Sequence, residues 1–382
     1  MYVFPAKKLF GLIVVLSAFF SATVAQTGTQ RSESLFETGL AQFDKKQYEE
    51  AASTFARVVA AEPKNYSAYY NMGLCYYNLR RYNDAIPAFQ SALRLKPDYA
   101  KAHVFLGNAF DNMNRYPDAV SAYTKALSFE PNNADAHLEL GVAHYRQKNY
   151  QASVLSLQRS IAANARNPVP HYRLGLNYAA LGREADAIKS FETAISMGIS
   201  NGLAHYELGR IYYQKKDRRR SLEYLEESVR VRPDLADAFR KIGDNYVALK
   251  NFERAIPAYQ QAIKIEPDSA EAHIGLGNCY YNRDLWADSI PHYKRAAELS
   301  PRYAVAHLYL ADAHLNSKQY DAAIISYKKA IEIDPRNAEA HYGLGLAYYN
   351  QKNKTLATMI HLQLKPLNAE LAQKLQELIM KL

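Results

Sequence analysis

The sequence predicts an all-α solenoid of tandem helical hairpins, and three observations carry that prediction. Residues 32 to 371 divide into ten units of 34 without an insertion. A small residue recurs at that interval, as Gly39, Gly73, Gly107, Gly141, Gly175, Gly209, Gly243, Gly277 and Gly345, with Ala311 in the one vacant place. Proline closes seven units, as Pro63, Pro97, Pro131, Pro233, Pro267, Pro301 and Pro335. A fixed period of this length means an elongated array whose units each touch only their neighbours. It replaces the two or three compact domains that 382 residues would otherwise suggest, and argues against a compact enzyme domain. Hydrophobic residues at 48% exclude a disordered chain, while 16 Gly and 15 Pro exclude collagen-like or low-complexity character. Tyrosine is the compositional outlier, with 31 copies against 14 Phe and one Trp.

The first element is of another kind. Met1 to Ala25 carries Lys7 and Lys8, an apolar run from Leu9 to Phe20, and then Ser21-Ala22-Thr23-Val24-Ala25. This pattern predicts a secretory signal peptide over 1–25, cleaved after Ala25, with 26–31 as a polar linker. The rival reading is an uncleaved anchor, because Leu9 to Ala25 is at the short end of what spans a bilayer. No other apolar stretch is long enough to span.

Within each unit, counting the recurrent glycine as position 8, position 7 is large and apolar from Met72 through Leu344, and position 20 is Ala or Ser throughout. Position 24 is aromatic or Leu in every unit but the last, where His361 stands. Small residues at 8 and 20 let two helices approach, and a large one at 24 fills the space beside them. Proline at 32 ends the second helix. Two neighbouring junctions depart from this, with Ala165 and Ile199 at position 32, Pro168 and Pro170 after the first, and Gly198 and Gly202 around the second. Residues 160–205 are therefore the place for a bend, against the alternative of ordinary repeat drift. Leu371, Leu375, Leu378 and Ile379 recur at helical spacing, so the tail reads as a helix capping the last unit's apolar face.

Tyr69-x2-Met72-Gly73-x2-Tyr76, followed by Ala85, Phe89, Ala92 and Pro97, resembles the tetratricopeptide repeat, a helix-turn-helix of 34 residues. The resemblance covers 32–365 in ten in-phase copies starting near 32, 66, 100, 134, 168, 202, 236, 270, 304 and 338, with a capping helix over 366–382. It implies a right-handed superhelix, a concave groove lined by the first helix of each unit, and a protein or peptide partner. It implies no cofactor and no catalytic residue.

Nothing else in the chain suggests chemistry. Seven of the eleven histidines (His103, His137, His171, His205, His273, His307, His341) occupy position 4 of seven units, so successive copies lie about 10 Å apart. Zinc ligands must reach within about 2.3 Å of one ion, which excludes chelation by this ladder. His-Glu-x-x-His, Gly-x-Ser-x-Gly and phosphate-cradling glycine motifs are missing from the sequence. Cys75 and Cys279 hold the same place six repeats apart, too far for a disulfide, and read as buried thiols.

Charge and groove composition bear on the partner. The chain is +9, or +7 without Lys7 and Lys8. At the groove positions 2, 5, 9, 12 and 13 there are nine acids (Glu33, Asp44, Asp111, Asp135, Asp237, Asp244, Glu271, Asp312, Glu339) against four bases (Lys101, Arg146, Arg210, Arg240), or −5. An acidic groove argues against a nucleic acid. Lys215, Lys216, Arg218, Arg219 and Arg220 fall in one inter-helix turn, either as a solvated turn or as a contact for an acidic protein surface or anionic headgroups. The groove itself presents Tyr70, Tyr172, Tyr206 and Tyr342 at position 5. It has Tyr77, Tyr145, Tyr213, Tyr281 and Tyr349 at position 12, and Asn78, Asn112, Asn282, Asn316 and Asn350 at position 13. Tyrosine and asparagine together suit an extended peptide, since Asn both donates to and accepts from a backbone amide. The family's clamp for a chaperone C-terminal carboxylate is missing: position 5 is never Lys, and after Asn108 and Asn278 the next unit's position 6 is Glu139 or Tyr309.

These readings converge on an exported, non-enzymatic scaffold that binds protein segments in a tyrosine- and asparagine-lined groove, in the periplasm or envelope or secreted. An envelope carbohydrate-binding or polysaccharide-export protein using the same tyrosines, and a regulatory subunit of a membrane-associated enzyme, are the alternatives. Partner identity and oligomeric state are not legible.

Overall fold

The structure is a computed structural model that describes residues 32–382. The signal peptide or anchor and the polar linker of the sequence analysis lie outside the described residues, which form helices and no strand. The chain divides into two compact units at Met197 and Gly198. In the first, α1 (32–44) pairs with α2 (Tyr48–Ala61), α3 (Tyr66–Asn78) with α4 (Tyr82–Leu95), α5 (Ala100–Asn112) with α6 (Tyr116–Phe129), α7 (Ala134–Arg146) with α8 (Tyr150–Ala163), and α9 (Val169–Ala180) with α10 (Glu184–Ser196). In the second, the pairs are α11 (Leu203–Gln214) with α12 (Arg218–Val231), α13 (Ala236–Ala248) with α14 (Phe252–Ile265), α15 (Ala270–Tyr281) with α16 (Trp286–Leu299), α17 (Ala304–Asn316) with α18 (Tyr320–Ile333), and α19 (Ala338–Asn350) with α20 (Lys354–Leu364). α21 (Ala369–Ile379) follows.

The recurrent glycine closes each hairpin. A Cβ on Gly73 would stand 2.6 Å from the Phe89 ring, and one on Gly175 2.5 Å from Phe191, so glycine is what lets those position-24 rings lie against the first helix. The position-24 residues from Phe55 to Tyr327 are at most 2% exposed. Two of the three position-20 serines tie the two helices together, as Ser153 and Ser221 donate to the carbonyls of Gly141 and Gly209 at 2.6 and 2.9 Å, whereas Ser289 donates to Trp286 of its own helix.

Each hairpin turn is a Schellman-type close. In the second repeat the Arg81 N–H reaches back to the Tyr76 carbonyl at 2.8 Å. The residue before it, at position 15, is left-handed in all ten repeats, yet only Gly182 is a glycine. Lys46, Arg80, Asn114, Lys148, Lys216, Lys250, Asp284, Lys318 and Lys352 hold φ between 57° and 60°. A Cβ makes that region costly. Replacing Lys148, Lys250 and Lys352 together by glycine is therefore expected to stabilise the chain by about 0.5–1 kcal/mol per site, net of glycine's greater freedom when unfolded; an unchanged or lower melting temperature would contradict this.

Within each unit the first helices touch one another along the stack, as α3, α5, α7 and α9 do in the first, and α11 with α13, α13 with α15, and α17 with α19 do in the second. The second helices pack on first helices. Closer spacing on one side makes the first-helix side the inner face, which is where the groove residues stand. Of the two irregular junctions, that at Ala165 leaves α8 packed on α9 like its counterparts. The one at Ile199 coincides with the division between units and carries two left-handed glycines, Gly198 (φ 86°) and Gly202 (φ 69°).

α21 ends the second stack by substituting for a missing side chain. Position 24 of the tenth repeat is His361, whose Nδ1 lies 2.9 Å from the Ala372 carbonyl. The space beside Gly345 is instead filled by Leu375 of α21, fully buried with Ala372 and Ile379 nearby in the same cluster.

Candidate functional site

The inner face begins with tyrosines at the hairpin centre. Tyr123, Tyr259, Tyr293 and Tyr327 each bury the ring at position 24 and pass the hydroxyl to the inner face, where it donates to position 9 of its own repeat. The acceptors are Asn108 (2.6 Å), Asp244 (2.6 Å), Asn278 (2.7 Å) and Asp312 (2.6 Å). A buried hydroxyl requires such a partner. Where position 24 is Phe or Leu, position 9 is Leu40, Leu74, Val142, Leu176 or Arg210. Composition and periodicity taken one position at a time miss this pairing, which becomes legible in the sequence once position 9 is compared with position 24.

The position-12 and position-13 residues form a stitched ladder. Asn78, Asn112, Asn282, Asn316 and Asn350 each turn Nδ2 back to the carbonyl four residues earlier, at 2.7–2.9 Å. Where the preceding repeat has a position-12 tyrosine, the same Nδ2 also meets its hydroxyl: Asn112 to Tyr77 at 3.2 Å, Asn316 to Tyr281 at 2.8 Å. Tyr77, Tyr145, Tyr213, Tyr281 and Tyr349 are half-buried, and Asn78, Asn112, Asn282 and Asn350 are exposed. Tyr77 sets its edge on Tyr82 and Phe105, and Tyr145 is tilted on Tyr150.

Position 5 departs from expectation. Tyr70 and Tyr172 are each only 8% exposed, packed on Phe89 and Phe191 across their hairpins, so they belong to the core and offer a ligand little surface. Tyr70 and Tyr172 lean over the position-24 ring, and Tyr70 is further covered by Tyr99 at the end of its own repeat and Phe105 of the next. Tyr206 remains half-buried and donates to Asp237 at 2.6 Å.

The acidic groove is also partly neutralised from within. Asp111 accepts from Arg146 at 2.7 Å in the first unit. In the second, Arg240 bridges Asp237 and Asp244, and Asp244 also accepts from Tyr213 at 3.0 Å. Glu271, Asp312 and Glu339 have no ion pair among the described residues, and they run along the second unit's inner face. Burial, with Glu339 nearby, raises the Asp312 carboxyl to about 6 although the Tyr327 hydroxyl stabilises its charge.

The basic cluster is not one solvated turn. Lys215 and Lys216 lie in the turn, but Arg218, Arg219 and Arg220 open α12, where positive charge opposes the helix dipole. Arg218 is half-buried, stacked 5.3 Å from the Tyr213 ring centre and donating to Asn245 at 3.1 Å. Arg220 donates to the Tyr212 hydroxyl at 3.3 Å.

The histidine ladder has a structural use. His103, His137, His273, His307 and His341 each point Nε2 at the carbonyl of the position-32 proline six residues earlier, at 2.9–3.1 Å. A carbonyl only accepts, so Nε2 carries the proton and each ring fastens the inter-repeat turn. Burial holds His103, His144, His171, His205, His273 and His292 below the usual imidazole range. A lowered folded value means that stability is complete above the unfolded value near 6.5 and falls as pH drops below it. The Asp312, Asp111 and Glu139 carboxyls, all raised by burial, work in the opposite sense. Melting of the Asp312→Asn variant, where the largest of these opposing shifts is removed, should occur at a lower temperature at pH 5 than at pH 7.5; equal temperatures would refute it. Among the described residues no three His, Cys, Asp or Glu side chains converge as a metal site. Cys75 and Cys279 are buried and free, their thiols pushed by burial to about 12. No helix among the described residues is long and apolar enough to cross a membrane.

Comparison with known proteins bears on family and fold. A tetratricopeptide repeat model matches residues 36–100, 106–168, 172–238 and 240–304, and a second TPR repeat model matches 316–352. Among solved structures, the C-terminal part of a TPR repeat-containing protein from Cytophaga hutchinsonii aligns with TM-score 0.53 and 19% identity, over 63% of this chain and 99% of that one. PilF of Pseudomonas aeruginosa aligns at 0.49 and 20%, over 54% and 94%, and MamA of Desulfovibrio magneticus at 0.42 and 19%, over 44% and 94%. No curated protein sequence matches the chain.

Proposed function

Because this chain belongs to the tetratricopeptide-repeat family, a family of protein-interaction scaffolds, we propose that it is an exported, non-catalytic scaffold that holds extended protein segments along its inner face. The observation that carries this reading is the asparagine ladder. Asn282, Asn316 and Asn350 stand in three successive repeats with Nδ2 anchored on their own helices, leaving each Oδ1 as an acceptor in fixed orientation. α17 touches α19, and touching helices lie about 10 Å apart, the length of three residues of extended chain, so backbone N–H groups three residues apart can meet Asn316 and Asn350 in turn. The half-buried tyrosines between them give amphipathic area at little entropic cost. Export rests on the pattern of Met1 to Ala25, and cleavage would leave a chain beginning at Gln26.

Two measurements test this. Cross-linked partners recovered from envelope extract should be lost from the Asn282→Leu, Asn316→Leu, Asn350→Leu triple variant with its helical content intact, whereas binding confined to a glycan array would overturn the reading. N-terminal sequencing of the fractionated protein should begin at Gln26, and an intact Met1 would refute cleavage.

A further inference from the structure

The second unit's inner face has a pocket of about 730 Å³ between α13 and α15, closed at one end by the loop after α16. It exists because the seventh repeat departs from the ladder: positions 12 and 13 are Val247 and Ala248 where the second, eighth and tenth repeats have Tyr-Asn, and position 6 of the eighth repeat is Gly275. Its floor is already satisfied. The Asp244 carboxylate there takes hydrogen bonds from Tyr213, Tyr259 and Arg240. Three groups at the pocket are unspent. Glu271, exposed in the first turn of α15, has no ion pair among the described residues. The Tyr303 ring is 47% exposed. The Asn278 side chain accepts from Tyr293 through Oδ1, which leaves its amide N–H groups to donate.

Extending the groove reading above, on which this rests, we propose that the pocket receives an arginine side chain from the bound segment. Val247, Ala248 and Ile274 offer apolar wall to its methylenes. The guanidinium lies on the Tyr303 ring and pairs with Glu271, and Asn278 donates to the segment's backbone carbonyl. An acidic or phosphorylated side chain is repelled, because Glu271 and, further along the face, Asp312 and Glu339 are unneutralised. An aromatic side chain would fill the volume but leave Glu271 without a partner. The planar guanidinium meets ring and carboxylate together, which favours arginine over lysine.

The test is selection of random twelve-residue peptides on the protein beginning at Gln26, followed by anisotropy of the winners labelled with fluorescein. Selected peptides should share one arginine, and its replacement by citrulline should weaken binding at least tenfold. Glu271→Gln should weaken binding about fivefold and flatten its salt dependence. Ala248→Trp, a change at an exposed position that fills the pocket, should weaken it at least tenfold with the melting temperature unchanged. Winners without a shared basic residue, or binding indifferent to both variants, overturn the pocket assignment while leaving groove binding in place. Failure to select any peptide, or winners unaffected by the triple asparagine variant, overturns the groove reading and the pocket with it.

Discussion

Alanine in place of Gly343 or Gly275 is expected to cost about 3 kcal/mol each, the upper end of what one added methyl does in a packed interior. These glycines are not the recurrent ones. They stand at position 6 of the tenth and eighth repeats, against Tyr327 and Tyr259 of the repeats before, and a Cβ at either place would fall inside the tyrosine ring's envelope. The rings are buried, and their hydroxyls are held by Asp312 and Asp244, so neither can swing away. Pairing Gly275→Ala with Tyr259→Leu should recover part of the loss, since Leu157 and Leu225 occupy position 24 where the next repeat's position 6 is Arg173 or Lys241. Urea unfolding followed by circular dichroism measures both, and a loss below 1 kcal/mol for Gly343→Ala would show that the ring has room to move.

Asp312→Asn is expected to stabilise the protein, by up to about 3 kcal/mol at pH 7. The carboxyl rises from 3.8 to about 6 on folding, and each tenfold weakening of an acid corresponds to about 1.4 kcal/mol between its protonation states. The sign follows from the raised folded value: the charged form burdens the fold above pH 6, and the burden disappears as pH falls towards 4. The gain should therefore be full at pH 7.5 and absent near pH 4. Asparagine fits the site, because Asn108 and Asn278 accept the same tyrosine hydroxyl in two sister repeats. Asp244→Asn should do the opposite and destabilise by about 1–2 kcal/mol, since it removes the second oxygen that takes Tyr213 and Arg240. Variants that move together, in either direction, would break the distinction drawn between the two aspartates.

The period, the hairpins and the packing small residues were legible because they repeat: ten copies of one local problem leave one solution, and proline, glycine and the large residue at 24 mark it. The site was legible only in part. Tyr70 and Tyr206 both stand at position 5, and nothing local tells them apart. Tyr70 is covered because Tyr99, which closes its own repeat, and Phe105 of the next one pack over it, while Tyr206 stays half-buried and donates to Asp237 of the next repeat. Charge behaved alike. Counting acids found the groove's sign, but Arg146 and Arg240 neutralise Asp111, Asp237 and Asp244 across helix turns and repeats, and leave Glu271, Asp312 and Glu339 without an ion pair among the described residues.

Spacing along one chain is enough to set the fold class and the length of each hairpin. Packing between repeats settles the rest: which tyrosines the next repeat covers, which carboxylates keep their charge free, that Leu375 replaces the missing side chain at His361, and where the inner face opens into a pocket. Each of those depends on the side chain that the neighbouring repeat sets opposite, and contacts between repeats are made by volume and hydrogen-bond geometry that a period does not encode.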